Sequence, residues 1–492
     1  MSARAVSNPP TQGSAVAGRG SPGLIFAILA VGVFLASLDL FIVNIALPAI
    51  ERGFSGSSVA SVSWVLNGYT IIYAALLVPA GKIGDVVGRR RVFAFGLAAF
   101  GIGSALCAAA PSLGFLVGAR VLQGVGAAAV TPTSLGLMLP VIPPAKRPAA
   151  IGGWAALGAV GAAAGPPLGG LLTDLSWHWI FIVNVPLAFA ALFALLRFVP
   201  EIRDPAKPSL PDGLGTVILM AAVSLATLGL VKGTDWKWDG RVVGCFVGAA
   251  ALAVLFVYRS SRHRSPVLEL SIVRVPAFAL ATLSATMFFA AFSVMLIGNV
   301  FFLTGVWHYS VLRGGLALTP GPIAAAAIAP FAGRLAARVG PGVVGALGGL
   351  LFAGSSLVFI EFIGAGRAYD TIFLPSMIIG GIGVGLALPA FTIAATRTLA
   401  PQLLATGIGA QSMFRQIGGA LGVAAFVAIL GTPSADSVVR RFDDTRWFMV
   451  VAAIIASVAL LLVKRPAPAV VPGGQGVAPD AVSASPAPSN AG

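Results

Sequence analysis

Two ionisable side chains stand inside long apolar runs of the sequence: Asp39, in the run over residues 24–48, and Arg120, in the run that begins near Leu113. An ionisable group at the centre of a bilayer costs about 2.5–3.5 kcal/mol on insertion scales, so each is a candidate for function. Asp39 lies nine residues from Pro48 and Arg120 seven residues from Leu113, depths of about 13 and 10 Å on a helix. The two runs form the first and fourth of a series of antiparallel helices, so both depths are measured from the same face. The two groups are therefore expected to meet across a bundle, with Arg120 favouring the ionised form of Asp39 and burial the protonated form. A carboxyl balanced in this way can carry protons. The alternative is a permanent pair that only fixes packing, but buried pairs are poor stabilisers.

Other titratable groups are sparse. Arg415, flanked by Gln411 and Gln416, has no acidic partner in its own run and is read equally as a substrate-cavity residue or a structural hydrogen-bond donor. Glu361 falls at the end of a run, and His178, His263 and His308 fall in loops or interfaces, so a histidine relay or haem ligation lacks material. Cys107 and Cys245 both sit in apolar runs, which leaves no disulfide framework and no metal cluster. No nucleophile constellation, cofactor motif or phosphate-binding Gly-x-x-x-x-Gly-Lys-Ser/Thr loop is present, so an enzyme, a redox subunit and an intrinsic ATP-driven pump are disfavoured.

The elements that must position Asp39 and Arg120 follow from composition. Of 492 residues, 58% are hydrophobic and 10% charged, against roughly 25% charged in soluble domains, so the chain is an integral membrane protein. Apolar runs give fourteen helices, centred near residues 36, 71, 101, 125, 161, 189, 222, 250, 289, 325, 352, 383, 418 and 455. The first is read as a retained span rather than a signal peptide. With the N-terminus in the cytoplasm, 20 of the 31 Lys and Arg residues fall on the inner side and 9 on the outer, while Arg120 and Arg415 lie within spans. This bias places both termini in the cytoplasm and accounts for the net charge of +15 without nucleic acid.

The chain also repeats itself. Gly81-Lys-Ile-Gly-Asp-Val-Val-Gly88 recurs in outline as Gly333-Arg-Leu-Ala-Ala-Arg-Val-Gly340, an offset of 252, and Gly124-Val-Gly126 with Pro132 recurs as Gly381-Ile-Gly383 with Pro389, an offset of 257. The counterparts of Asp39 and Arg120 are Ala291 and Met377, so only the first half keeps the charges. The expected plan is a disordered N-terminus (1–23), six helices (24–200), a linker with two extra helices (201–275), six more helices (276–463) and a disordered tail (464–492). Parallel repeats of this kind suit alternating access to a central site.

Further motifs carry a resemblance. Leu38-Asp39 with Val43-Asn44-Ile45-Ala46-Leu47-Pro48, the loop Gly81 to Arg91 (Gly81, Asp85, Gly88, Arg89, Arg90), and Arg120 with Gln123-Gly124-Val125-Gly126 occur in order. They are followed by the small-residue run Gly161, Gly165, Pro166, Gly169, Gly170, and by Trp177-His178-Trp179-Ile180-Phe181 with Asn184-Val185-Pro186. Together these resemble the fourteen-helix drug:proton antiporter group of the major facilitator superfamily, over about residues 24–463. Phe41, Val86 and His178 depart from that pattern where Thr, a basic residue and Arg are usual, and Ala337 replaces the loop Asp in the second half.

The resemblance implies the major facilitator fold: two six-helix bundles plus two inserted helices, all α. It also implies a proton-coupling role for Asp39 and Arg120, an inner gate at Gly81 to Arg90 and an antiporter motif at Gly161 to Gly170. Phe41, Asn44, Trp64, Tyr69, Trp154, Gln411, Phe414 and Arg415 are candidates for the substrate cavity. The expected protein is a monomer in a bacterial cytoplasmic membrane, surrounded by lipid, exporting amphipathic small molecules against protons, without metal or other cofactor. With no well-buried acid in the later spans, monocations or neutral amphiphiles are expected over dications. A dedicated exporter of one endogenous metabolite or antibiotic is the alternative.

Overall fold

The computed structural model describes residues 21–463 apart from 144–145, 202–209, 365, 398, 400–402 and 435. The disorder expected for 1–20 and 464–492 lies outside the described residues. Among the described residues there is no strand, and fourteen helical spans are long and apolar enough to cross a membrane. They are α1 (Pro22–Gly53), α2 (Val59–Val87), α3 (Arg89–Ala108), α4 (Leu113–Val141), α5 (Ala156–Leu175), α6 (Trp179–Phe198), α7 (Gly213–Lys232), α8 (Gly240–Arg262), α9 (Pro276–Val306), α10 (Val311–Ala336), α11 (Pro341–Phe362), α12 (Tyr369–Thr396), α13 (Thr406–Leu430) and α14 (Val438–Leu461). Every expected centre falls inside one of them.

Two expectations at helix ends are corrected. Pro48 was expected to close the first helix, but α1 continues to Gly53, and Pro79, Pro132 and Pro389 also lie inside helices. A proline removes one backbone hydrogen bond, whereas ending the helix in an apolar setting would leave several groups unpaired. Pro22 and Gly23, expected in a disordered segment, form the first turn of α1, with the Ser21 hydroxyl accepting from the Leu24 N–H.

Polar caps start the helices where short connections demand a reversal. Ser58 and Ser61 form a reciprocal capping box on α2, and Ser112 and Ser310 cap α4 and α10. α1 packs on α4, α5 and α6, and α4 on α2 and α3; α9 packs on α13 and α14, and α12 on α10 and α11. The two sets meet through α2 against α13, α5 against α10 and α1 against α9. α7 leans on α2 and α13, while α8, only 11% buried over its most apolar window, packs chiefly on α7.

Asp212 fastens that inserted pair: its carboxylate accepts from the Gly215 N–H at 2.9 Å and from Arg259 of α8 at 2.7 Å. Burial alone would raise this carboxyl, but the hydrogen bonds from Arg259 and Gly215 hold it below the ordinary carboxylate value.

The internal repeat has a structural counterpart. Gly88 and Gly340 each separate two consecutive spans, with φ of +124° and +98°, and donate their N–H groups to Gly84 and Ala336. Only glycine adopts that backbone without strain. A Cβ at Gly126 would lie 2.5 Å from the Phe100 nitrogen and 2.7 Å from the Gly96 oxygen. At Gly383 it would lie 2.9 Å from the Phe352 nitrogen and 2.6 Å from the Gly348 oxygen. Phe352 and Gly348 are Phe100 and Gly96 displaced by 252 residues, so both sequence and close helix approach are duplicated.

Candidate functional site

Asp39 and Arg120 are fully buried, and the Arg120 Nη1 lies 2.5 Å from the Asp39 Oδ2. Helices α1 and α4 bring them together because small residues let the backbones approach: Gly32, one helix turn and more before Asp39, faces Val130 and Phe93. The other carboxylate oxygen, Oδ1, accepts from the Gln123 Nε2 at 2.8 Å and from the Asn184 Nδ2 at 3.3 Å. Arg120 is itself held by the Val65 carbonyl at 3.0 Å and the Gln123 Oε1 at 2.6 Å, and its Cζ sits 4.1 Å from the centroid of the Tyr69 ring. Ser104 of α3 accepts from Gln123 and Asn184 and donates to the Phe181 carbonyl.

This is a carboxylate held by three donors from two other helices, α4 and α6, in a space shut off from bulk solvent. A proton placed on it removes the charge that strengthens those hydrogen bonds and adds a donor where the neighbouring groups already donate. The site therefore ties protonation to the relative positions of α1, α4 and α6. Gln123 and Asn184 were not singled out from sequence as partners of Asp39, nor Ser104 as the hydroxyl that supports them. The signal available was their type, polar amides and a hydroxyl inside apolar runs.

At the Gly88 end, the Asp85 Oδ1 accepts from the Arg89 Nε at 2.9 Å and Nη2 at 2.8 Å, across the break that Gly88 makes between α2 and α3. Arg89 also donates to the Gly136 carbonyl of α4 at 2.7 Å, and Arg90 to the Leu196 carbonyl of α6. The Arg90 N–H donates to Glu201 at 3.0 Å, a partner not identified from sequence. Gly81 approaches Pro132 of α4, where a Cβ would lie 3.3 Å from the proline ring. The segment Gly81 to Arg90 thus ties α2, α3, α4 and the end of α6 together.

The small-residue run of α5 works at the opposite end. Cβ atoms at Gly161, Gly165 and Gly169 would lie 2.6 Å from the Phe34 oxygen, 2.4 Å from the Phe41 Cβ and 3.0 Å from the Ile42 oxygen, all on α1. One at Gly170 would lie 2.9 Å from the Leu312 Cα of α10, and one at Gly315 would lie 2.3 Å from the Pro166 oxygen. α5 is therefore wedged between α1 and α10, one of the seams joining the two sets of helices. Gly315→Val is expected to part that seam. In a background with Cys107 and Cys245 replaced by Ser, an Ile42→Cys probe, 0% exposed in the native packing, should be labelled by a maleimide several-fold faster when the valine is present. Unchanged labelling would show the seam does not control access.

The cavity candidates divide. Phe41 meets Phe292 across the α1–α9 seam at 6.0 Å, Phe292 meets Phe289 at 5.9 Å, and the Arg415 Cζ sits 4.8 Å from the Phe289 centroid. Tyr69 is fully buried beneath Arg120. Asn44 donates back to the Leu40 carbonyl at 2.7 Å, Gln411 to the Phe391 carbonyl at 2.9 Å, and Trp154 to the Ser134 hydroxyl at 3.0 Å. Trp154 packs in a separate apolar cluster with Ile28 and Phe93, while Trp64 and Phe414 are half-buried against the main core. Arg446, one of the nine basic residues counted from sequence to the outer side, is instead 4% exposed within α14, paired with Asp443 at 2.8 Å and with its Cζ 4.5 Å from the Phe302 centroid. The pair one turn apart and the ring face satisfy a charge that sequence alone assigned to water.

Comparison with known proteins accords with this architecture. Residues 29–423 match the family model of the Major Facilitator Superfamily. The chain is 35% identical over 437 residues to the tetracenomycin C resistance and export protein of Streptomyces glaucescens, covering 87% of this chain and 79% of that one. It is 33% identical to the multidrug resistance protein Stp of Mycobacterium tuberculosis (81% and 74% covered) and 32% identical to a puromycin resistance protein of Streptomyces alboniger (83% and 81% covered). A D-xylose–proton symporter structure superposes with a TM-score of 0.64 at 14% identity, covering 90% of this chain and 97% of that one. A POT family transporter in complex with 5-aminolevulinic acid gives 0.65 at 15%, covering 93% and 99%; at such identities these establish the fold alone. The chain belongs to the Major Facilitator Superfamily, as a multi-pass membrane transporter with fourteen spans.

Proposed function

We propose that the chain is a proton-coupled antiporter that exports amphipathic small molecules by alternating access. Its two six-helix units, 24–200 and 276–463, rock about the central seam, with 201–275 lying between them as an insertion. The observation that carries this reading is Asp39: a fully buried carboxylate whose two oxygens are held by Arg120, Gln123 and Asn184. Protonation weakens that network, so the bound proton favours one arrangement of the helices and the ionised carboxylate the other. The proton is the coupling ion and no other cofactor is invoked. The protein is placed in a bacterial cytoplasmic membrane, with both termini in the cytoplasm, working as a monomer.

The names of the relatives support export of drugs and antibiotics, and they also keep a second reading in view. One relative is named for multidrug resistance, whereas two are named for a single compound. A dedicated exporter would show efflux of one compound in a broad screen.

The coupling reading is tested in proteoliposomes with an acid lumen and a trapped pH dye. Ethidium and pyrenesulfonate are suitable substrates, because both are permanently charged and neither carries a proton across by itself. Addition of a transported compound should discharge the gradient several-fold faster than in protein-free vesicles. Transport of either compound with no associated proton movement would refute coupling.

A further inference from the structure

Arg415 lies nine residues into α13, inside the membrane-crossing part of the helix. Among the described residues it makes no ion pair and no hydrogen bond, and its Nε is closed off from solvent without a partner. Its guanidinium covers the Phe289 ring at 4.8 Å, and the titratable group that acts on it electrostatically is Tyr73 of α2. Tyr73 is already engaged, its hydroxyl 3.0 Å from the Thr131 Oγ1. Among the described residues the two arginines buried within the spans are each paired with an acid: Arg120 with Asp39 and Arg446 with Asp443.

A cation without an acidic partner within a membrane span is costly even when partly accessible, and a guanidinium carries five donors in a planar fork that fits a carboxylate or an aryl-oxide oxygen. One face of Arg415 is taken by Phe289, leaving the donor edge. The residue as a whole remains partly accessible. Beside it the rings of Phe289, Phe292 and Phe41 run from α13 toward α1 at centroid spacings of 5.9 and 6.0 Å.

From this geometry we infer that Arg415 anchors the transported molecule, and that the substrate class is an aromatic anion, a ring system bearing a carboxylate or phenolate. The oxygen engages the donor edge of Arg415, and the aromatic body lies against Phe289, Phe292 and Phe41. This rests on the transporter reading above and departs from the expectation of monocations or neutral amphiphiles drawn from the lack of acids in the later spans: the unpaired charge at the seam is positive. The anchor also lies on a path to the proton site. Tyr73 is 5.8 Å from Tyr69, whose ring carries the Arg120 guanidinium.

The test is equilibrium binding to the purified, detergent-solubilised full chain, with no gradient, using pyrenebutyrate, pyrenebutyramide and pyrenebutylamine. The unmodified protein should bind the acid about ten-fold or more tightly than the amide or the amine. Arg415→Met should abolish that preference, and Arg415→Lys should retain part of it; both are to be monodisperse with a melting temperature no lower than that of the unmodified protein. Equal binding of the three, tighter binding of the amine, or an acid preference that survives in Arg415→Met would overturn the assignment. Since no proton enters the measurement, selective binding without proton-coupled flux would leave Arg415 as the anchor and remove the antiport reading. Coupled export of ethidium without acid-selective binding would do the reverse.

Discussion

Asp39→Asn is expected to abolish proton-driven transport while leaving the folded transporter and its downhill exchange in place. The substitution preserves size and removes the group that can exchange a proton. It also halves the acceptor capacity at a point where three donors converge, since Arg120, Gln123 and Asn184 all donate to Asp39. One of those donors must then face an amide N–H, a cost of about 1–3 kcal/mol unless the Gln123 amide turns over. Stability should therefore fall modestly while coupling falls at least ten-fold, corresponding to more than about 1.4 kcal/mol of lost linkage between proton and substrate. Lumenal pH in the vesicles gives the coupled flux, and counterflow of labelled substrate at equal pH gives the uncoupled flux. Coupled flux persisting undiminished in the variant would remove Asp39 from the proton path and direct attention to Asp85.

How far this site was legible from sequence depends on the cost of each residue in a membrane. Asp39 and Arg120 stand out because full charges in apolar runs are costly. Ser104 and Asn184 do not, because a hydroxyl or an amide can bond within its own helix, as Asn44 does with Leu40. Nothing in the spacing says that residues 39, 104, 123 and 184 converge; that is decided by which helix faces meet. The repeated glycines were visible as a pattern, but only their contacts explain it, since Gly126 and Gly383 sit where two backbones nearly touch. Arg446 was misplaced for the opposite reason. A charge near a helix end reads as exposed, whereas its partner Asp443 lies in the same helix and its ring contacts come from α9 and α11.

Arg120→Met should destabilise the protein far more than Asp39→Asn, and combining the two should restore much of the loss. Removing the guanidinium alone leaves a fully buried carboxylate with only neutral donors, a change that typically costs about 3–5 kcal/mol. It also strips the donor from the Val65 carbonyl and the cation from the Tyr69 ring. With Asn at position 39 that charge is gone, and Met fills an apolar space. The second half of the chain has uncharged residues at both counterpart positions: Ala291 and Met377 are 0% and 4% exposed in a packed core. The fold thus accommodates the uncharged version, which argues that the pair is kept in the first half for transport. Inactivation half-life in detergent at a fixed elevated temperature should order as unmodified, then Asp39→Asn and the double variant close together, then Arg120→Met well below, with the double variant inert in the coupled assay. A double variant as short-lived as Arg120→Met alone would mean the pair is a structural pin, and proton coupling would have to be sought elsewhere.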